Sequence, residues 1–173
     1  MRTTVLVGNP RPGSRTAAAA LAAARRVGAA AGRPGTPEAV DLAELAPVLL
    51  ARPRPPAVDA ALARVAGSEL LVVASPTYKA TYTGLLKVFF DLLPADALRG
   101  VVAVPLLVMG SPAHTLAVEV HLRPVLVELG ATVPAPGLAL VEADLGRLDA
   151  VLGPWAAHVG PRVRAALPAR ADA

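Results

Sequence analysis

The residue types best suited to binding or catalysis are concentrated between positions 70 and 93 of this chain. Both tyrosines and both lysines of the 173-residue sequence lie in this segment, as Tyr78, Lys79, Tyr82 and Lys87. An apolar run at 70–74 breaks at Ser75 into a polar loop, and an apolar helical pattern follows. This order predicts a strand, a loop and a helix, with polar groups at the carboxyl end of the strand, where open α/β sheets bind ligands. The alternative is a surface loop whose rings cover the edge of the sheet.

A second polar stretch, residues 8–16, reads GNPRPGSRT and follows an apolar, β-branched run at 3–7. Its Gly and Pro residues argue against regular structure, whereas residues 17–31 are nearly all strong helix formers. We therefore predict a strand, a polar first loop (residues 8–16) and a helix, with Ser14 or Thr16 as the N-cap.

The first loop has the features of an anion site. A loop at a helix N-terminus presents backbone N–H groups and the positive end of the helix dipole. Arg11 and Arg15 add charge, and Ser14 and Thr16 add hydroxyl donors. Phosphate suits this set, although a capped helix with solvated arginines is the alternative. The loop matches neither G-x-x-x-x-G-K-[ST] nor G-x-G-x-x-G, so neither a P-loop nor a dinucleotide fingerprint is predicted.

The rest of the chain repeats the strand–helix pattern. We predict a short second strand at 39–42, a fourth at 101–109 and a fifth within 131–141. Alternation of this kind predicts an α/β fold with a parallel sheet and helices on both faces. Five strands suit the flavodoxin-like order 2-1-3-4-5, whose switch point lies between strands one and three. We treat residues 1–173 as one domain, with a frayed tail at 168–173.

Three polar loops follow strands one, three and four. The third loop (residues 77–83) and the fourth loop (residues 110–114, reading GSPAH) join the first loop at the carboxyl edge of the predicted sheet. Because the carboxyl ends of parallel strands meet at one edge, we expect all three loops to converge on a single pocket.

Several prolines fall inside predicted elements. Pro105 should introduce a bulge or a pairing defect in the fourth strand. Pro124 should kink the helix predicted after the fourth loop. The final helix, predicted at 144–167, should be interrupted at Gly153-Pro154 and at Gly160-Pro161.

Composition excludes several function classes. The sequence contains no Cys, so disulfides, thiolate nucleophiles and Cys-ligated metals are excluded, and no metal site is predicted. No stretch of about 18 consecutive strongly apolar residues occurs, so we predict no membrane span. The net charge is +4, but the arginines are scattered, so we predict no nucleic-acid binding. We expect a cytoplasmic protein.

A ligand with a phosphate at one end and a flat heterocycle at the other would span the three loops. Flavin mononucleotide (FMN) fits this description. The protein would then supply phosphate binding, orientation and electrostatics, while the ring carries the redox chemistry.

Three segments resemble those of a known family. Residues 8–16 resemble its phosphate loop, G-S-P-R-x-x-S-R-S. Residues 75–87 (SPTYKATYTGLLK) resemble [ST]-P-V-Y-K-A-x-Y-[ST]-G-x-L-K, and residues 113–126 resemble A-H-x-L-A-V leading to L-[KR]-P-V-L. The chain thereby resembles NADPH-dependent FMN reductases, especially the branch that supplies reduced flavin to two-component alkanesulfonate-type monooxygenases.

The resemblance implies FMN and NADPH as ligands, and hydride transfer from nicotinamide C4 to flavin N5 without a catalytic residue of the protein. It also implies a homodimer or homotetramer and a flavin-dependent monooxygenase partner. It assigns phosphate binding to Arg11, Ser14 and Thr16. The residues it places around the ring or the nicotinamide are Pro76, Thr77, Tyr78, Lys79, Gly110, Ser111 and His114, although His114 could equally be structural.

The chain departs from the family pattern at two positions. Asn9 stands where the family commonly has Ser, and Val120 stands where the sulfonate branch has Tyr in an irregular helix turn at a subunit interface. Three other functions stay open: a quinone, azo or metal-oxyanion reductase with FMN as a fixed prosthetic group, a flavodoxin-like electron carrier, and a flavin sensor without turnover. The carrier is disfavoured because such proteins are typically acidic, whereas this chain is basic.

Overall fold

The computed structural model describes residues 1–169 and contains one five-stranded parallel sheet. The strand order is β2-β1-β3-β4-β5, so the predicted flavodoxin-like topology is confirmed. Each hydrogen-bonded pair of strands is parallel. The strands are β1 Thr3–Val7, β2 Glu38–Asp41, β3 Leu70–Pro76, β4 Val102–Met109 and β5 Leu138–Val141.

Helices follow the strands as the alternation predicted, with small shifts at their ends. The first helix begins two residues earlier than expected, because Ser14 rather than Thr16 is its N-cap. The α-helices are α1 Arg15–Ala30, α2 Leu42–Leu45, α3 Pro56–Ala66, α4 Gly84–Asp91, α5 Arg123–Glu128 and α6 Leu148–Ala166. Residues 1–169 also contain two 3₁₀ turns, Pro112–His114 and Glu142–Arg147, and one π-helical turn, Val118–Leu122.

Alternate strand residues face two different core layers. Val5 and Val72 belong to the layer under α1 and α6, whereas Leu6 and Leu71 belong to the layer under α3, α4 and α5. Helices therefore cover both faces of the sheet, as predicted, and the central strands are apolar on both sides. Polar groups that contact solvent or a ligand must therefore lie at the ends of the strands or at the edges of the sheet.

Pro105 causes no bulge against the neighbouring strand β3. The β3–β4 register runs without interruption and pairs Val73 with Pro105. The amide of Ala103 donates to Thr132 on the β5 side, and the Pro105 nitrogen, two residues on, faces the same side. Pairing with β5 begins only at Leu106. The missing N–H thus falls where the sheet has a gap, which is the pairing defect that the sequence predicted.

The prediction that the last helix is interrupted at Gly153-Pro154 and at Gly160-Pro161 is wrong. Helix α6 runs from Leu148 to Ala166 without interruption, although Pro154 and Pro161 lie inside it. Both prolines are exposed, as are Ala150 and Ala157, whose carbonyls lose their helical donors. Water can satisfy those carbonyls, so the buried face of the helix keeps it continuous. The predicted tail at 168–173 lies mostly outside the described residues.

The helix after β4 is irregular where the sequence predicted a disturbance. A π-helical turn at Val118–Leu122 precedes α5, and Pro124 lies in the first turn of α5. Because residues 118–122 are helical and lead directly into α5, Pro124 has no N–H to donate to the turn before it. The irregularity therefore falls immediately N-terminal to Pro124.

An ion pair ties this irregular turn to the segment that leads into β5. The Arg123 guanidinium donates to Glu119 (2.5 Å between Nε and Oε2) and to the carbonyls of Val133 (2.8 Å) and Ala135 (2.6 Å). The Gly137 N–H donates to the other Glu119 oxygen (2.6 Å). The pair thereby fixes the start of β5 and, through it, the residues that follow β5.

Among residues 1–169, no helix combines the length and the apolar character needed to cross a lipid bilayer.

A glycine at the contact between α1 and α6 provides the first testable prediction. A Cβ added at Gly160 would lie 2.6 Å from the Ala30 Cβ and 2.9 Å from its carbonyl carbon. Gly160→Ala should therefore lower the free energy of unfolding by about 1–3 kcal/mol through overpacking. Urea denaturation measures the change.

Gly153→Ala is the matched control for this substitution. Gly153 also precedes a proline in α6, but nothing lies within 4 Å of its added Cβ. The control should be neutral or more stable by up to about 1 kcal/mol, because alanine favours helix. Equal losses in the two variants would show that strain before proline, rather than the contact with α1, sets the cost.

The Glu119–Arg123 pair predicts a pH dependence of stability. Burial alone would raise the pKa of Glu119, but the hydrogen bonds from Arg123 and Gly137 and the charge of Arg123 outweigh it and lower the pKa below its ordinary value of 4.5. A lowered folded-state pKa contributes stability above the unfolded-state pKa, and that stability is lost as the pH falls through the folded-state pKa. Denaturation from neutral pH to below pH 4.5 should show this loss, and Glu119→Gln should flatten it. An equally steep pH dependence in Glu119→Gln would contradict the assignment.

Candidate active site

The first loop is folded onto the start of α1 by a buried asparagine. The Asn9 side chain donates from Nδ2 to Thr16 Oγ1 (3.1 Å) and accepts the Arg11 N–H at Oδ1 (2.9 Å). Asn9 and Thr16 are 7% and 3% exposed, so both ends of the loop are held from inside. The Arg11 side chain is left on the surface, at the opening of the loop.

The N-terminus of α1 retains donors for an anion. Ser14 caps the helix by accepting the Ala17 N–H (3.2 Å). The amides of Arg15 and Thr16, at the first two helical positions, have no protein acceptor within residues 1–169. Such amides and the positive end of the helix dipole favour a bound anion.

A buried threonine joins the first loop to the helix after β3. The Thr83 hydroxyl donates to the Gly8 carbonyl (2.5 Å) and accepts the Leu86 N–H (3.2 Å) as the N-cap of α4. The Thr83 N–H donates in turn to the Ser75 hydroxyl (3.0 Å). A Cβ on Gly8 would lie 2.6 Å from the Leu86 Cβ, so only glycine allows this approach. The first loop and α4 are therefore locked together.

The third loop contains a tight hairpin that presents Tyr78. The Tyr78 N–H donates to the Thr81 carbonyl (2.8 Å), and the turn residues Lys79 and Ala80 have φ angles of 54° and 67°. Two left-handed residues are typical of a type I′ turn, which normally uses glycine or asparagine. Strained backbone of this kind is concentrated at functional sites. The Tyr78 side chain is 43% exposed at the end of the hairpin.

Two further titratable groups of this region are held in one protonation state. Burial raises the pKa of Tyr82, an effect that the charge of Lys87 partly opposes and that of Asp91 reinforces. The hydrogen bond to Asp91 (2.5 Å) raises the pKa of Lys87. At neutral pH Tyr82 therefore stays neutral and Lys87 stays charged, so neither supplies an acid or base that titrates there.

The first and third loops face each other across a cleft of about 280 Å³. Arg11 and Thr16 line it from the first loop, and Pro76 and Tyr78 line it from the end of β3 and the hairpin. Val108 of β4 lies between them, and its carbonyl accepts the Thr77 N–H (2.8 Å). The structure thus brings together the two loops that the sequence singled out first.

The remaining wall differs from the sequence prediction. Glu142 and Leu145, in the 3₁₀ turn after β5, line the cleft, whereas the fourth-loop residues do not. The fourth loop instead forms a 3₁₀ turn of its own, capped by Ser111, which accepts the Ala113 N–H (3.3 Å). Its predicted site residues Gly110, Ser111 and His114 follow β4 at the same edge of the sheet.

Glu142 was missed by sequence reasoning. The signal was present, because Glu142 directly follows an apolar strand-like run, as the first, third and fourth loops do. It forms an ion pair with Arg15 across the cleft (3.0 Å between Oε2 and Nη2). Arg11 makes no ion pair within the described part of the chain.

No group of three or more potential metal ligands occurs among residues 1–169. The donors of the cleft are instead amides, two guanidinium groups and an exposed phenol, which suit an anionic organic ligand.

Comparison with known proteins identifies the family. The family model for NADPH-dependent FMN reductase matches residues 1–145. The chain belongs to the NADPH-dependent FMN reductase family. The predicted resemblance is therefore confirmed, and the match includes every residue of the cleft.

Curated relatives of this family carry reductase names. The FMN reductase (NADPH) of Escherichia coli K12 is 45% identical over 84 residues, which are 49% of this chain and 44% of the relative. The FMN reductase (NADPH) of Pseudomonas aeruginosa is 33% identical over 123 residues, 70% of this chain and 66% of the relative. The chain thus spans less than half the length of the first of these relatives.

Solved structures match over a longer range. An apo NADH:FMN oxidoreductase, EmoB, has a TM-score of 0.78 at 28% identity, over 99% of this chain and 92% of the other. An oxidoreductase of Corynebacterium diphtheriae has a TM-score of 0.80 at 28% identity, over 96% and 97%. A WrbA-like flavodoxin of Agrobacterium tumefaciens, at 15% identity and a TM-score of 0.60, shares the fold.

The cleft of this FMN reductase family member fits a flavin phosphate ester. The unsatisfied amides of Arg15 and Thr16 and the exposed Arg11 side chain form one anion-binding subsite. Pro76 and Tyr78, a proline and an aromatic residue, line the cleft beside it. This division matches a ligand with a phosphate at one end and an aromatic ring at the other.

The Thr83 hydroxyl is predicted to hold the site together. Thr83→Val keeps the shape of the side chain but leaves the Gly8 carbonyl and the Leu86 N–H without their partner. The free energy of unfolding should then fall by about 1–3 kcal/mol, the usual penalty for buried groups left unsatisfied. Thr83→Ser, which keeps the hydroxyl, should lose much less in the same denaturation measurement. Equal losses in the two variants would assign the effect to the methyl group.

Proposed function

We propose that this chain is an NAD(P)H-dependent FMN reductase. One observation carries the proposal: in a chain of the FMN reductase family, an anion subsite and an exposed tyrosine on a fixed hairpin bound a single cleft. NADPH is the proposed reductant, because the matching family model is that of NADPH-dependent FMN reductase and relatives at 45% and 43% identity are named FMN reductase (NADPH). Other relatives are named NADH-dependent, so both nicotinamides belong in the test.

The residues divide the binding of FMN between them. Arg11 and the amides of Arg15 and Thr16 bind the phosphate, and Ser14 keeps those amides in place by capping α1. Pro76 and Tyr78 contact the isoalloxazine ring. Thr77 and Lys79 contribute through the backbone of the hairpin, whose hydrogen bond to Val108 fixes its position relative to β4.

The fourth loop has a proposed role beside this cleft. Gly110 and Ser111 come just after Val108, whose carbonyl holds the third loop. We assign them to the far side of the ring, and His114 to the nicotinamide. Their position at the carboxyl edge of β4 supports this assignment.

The chemistry requires positioning rather than a protein acid or base. When bound, FMN supplies the ring that accepts a hydride from the nicotinamide. The protein residues orient the two partners, and such orientation can supply much of the rate enhancement by itself. The strained turn at Lys79 and Ala80 serves this purpose, because it fixes the backbone that carries Tyr78.

An exposed apolar stripe supports assembly into a homodimer or homotetramer. Leu116, Val120 and Val127, in the helical segment after β4, are 70%, 58% and 54% exposed. Apolar side chains that share one exposed segment favour contact with another copy. Light scattering of the purified protein measures the mass of the assembly.

We also propose that the reduced FMN is passed to a flavin-dependent monooxygenase, on the strength of the resemblance in residues 75–87.

Anaerobic stopped-flow spectroscopy tests the function directly. Protein, FMN and NADPH, or NADH in a second series, are mixed while the visible absorbance of the flavin is followed. Loss of that absorbance that depends on both protein and nicotinamide is the expected result. Flavin binding without any bleaching would contradict the reductase and favour a carrier or sensor. Flavin that stays with the protein through purification would identify a prosthetic group rather than a released substrate.

Arg11→Ala tests the phosphate assignment. Removing the guanidinium should weaken FMN binding by about tenfold, the usual loss for one charge-assisted hydrogen bond to phosphate. Riboflavin, which lacks the phosphate, serves as the control ligand and should bind the variant and the wild type equally. Fluorescence titration measures both affinities. An equal loss for the two flavins would show that Arg11 supports the loop rather than the phosphate.

A further inference from the structure

The cleft contains a charge that opposes the proposed ligand. Arg11 and Arg15 make its phosphate end basic, but Glu142 lines the same cleft. It is the only carboxylate among the residues of the described chain that line it. Its Oε2 lies 3.0 Å from Arg15 Nη2, so it occupies a guanidinium that could otherwise bind phosphate.

The fold holds Glu142 at this position. It directly follows β5, whose register with β4 pairs Val141 with Met109. Three residues further along the 3₁₀ turn, Leu145 lines the same cleft and packs against the core layer under α1. Residues three apart on a 3₁₀ turn lie on the same side. The carboxylate can rotate away from Arg15, but its backbone stays at the wall.

An arginine fork can bind a carboxylate or a phosphate in the same way. The Arg15 and Glu142 side chains are 68% and 52% exposed, so their ion pair is weak and a phosphate can displace it. Once displaced, the carboxylate remains close to a bound dianion, and like charges at such distances disfavour each other. Both effects weaken phosphate binding relative to a cleft with two unopposed arginines.

We propose that Glu142 limits the affinity of the cleft for the phosphate end of FMN by competing for Arg15, and so favours exchange of the flavin over its retention. The proposal rests on the proposed function, because it concerns the same cleft and ligand. It names Glu142 as a residue that sets the difference in affinity between FMN and riboflavin.

Glu142→Gln tests the proposal while keeping the size and polarity of the side chain. The variant should bind FMN about three- to tenfold more tightly, as expected from removing one nearby like charge. Its affinity for riboflavin should not change. Fluorescence titration gives both dissociation constants, and displacement of bound FMN by excess riboflavin should show a slower release from the variant.

Asp149→Asn is the matched control. Asp149 also pairs with an arginine of α1, Arg26 (2.6 Å), but neither residue lines the cleft. This variant should leave both flavin affinities unchanged. If Asp149→Asn tightened FMN binding as much as Glu142→Gln does, net charge rather than competition for Arg15 would be the cause, and the proposal would fall.

The remaining outcomes separate this proposal from the proposed function. Wild-type binding of FMN with an unchanged ratio of FMN to riboflavin affinity in Glu142→Gln would overturn the role of Glu142 alone. Weaker FMN binding by Glu142→Gln would show that the carboxylate positions Arg15 for the phosphate, and would also overturn it. Binding of neither flavin by the wild-type protein would overturn the proposed function together with this proposal.

Discussion

The hydrogen bond from the Thr83 hydroxyl to the Gly8 carbonyl is the contact on which the candidate site depends. It joins the end of β1 to the start of α4, and Thr83 is itself held by Ser75 at the end of β3. The approach is close enough that a side chain on Gly8 would collide with Leu86. Three elements that are distant in sequence are thereby fixed within a few ångströms. The first loop and the hairpin can face each other across a stable cleft only because this buried polar contact sets their separation.

Rigid supports hold groups at the cleft that are left unsatisfied or strained. The amides at the start of α1 are held by the Ser14 cap and by Asn9, yet they lack protein acceptors of their own within the described residues. The hairpin keeps two non-glycine residues in the left-handed region. The core on both faces of the sheet stabilises these features, so the site is preorganised. A preorganised site lowers the free-energy cost of ordering the binding groups when a ligand binds. The Arg15–Glu142 pair adds an exposed ion pair to this frame.

Sequence reasoning predicted the loops of the candidate site to the extent that local patterns encode them. Polar breaks after apolar runs singled out Arg11, Thr16, Pro76 and Tyr78, and these residues line one cleft, because the carboxyl ends of parallel strands share one edge of the sheet. The same rule applied to β5 would have found Glu142, but the short strand Leu138–Val141 is a weak pattern that follows a long irregular segment. The fourth loop was predicted to line the cleft, but the turn after β5 lines it instead. Which of these two segments lines the cleft depends on the direction that each takes after it leaves the sheet. No local pattern records that direction.

The sequence by itself determined the class of fold and the order of the strands, because alternation of apolar runs, Gly-containing loops and helix formers restricts parallel topologies to few solutions. The family followed from the resemblance of residues 8–16, 75–87 and 113–126 to its motifs. Tertiary structure alone decided the continuity of α6 through two prolines, since that depends on which side of the helix meets water. It also decided the harmless position of Pro105, since that depends on where β5 begins to pair. The pairing of Arg15 with Glu142 likewise joins residues 127 positions apart. In each case the outcome depends on which groups are neighbours in space. Those neighbours are determined only when the sheet and its two helical layers have assembled.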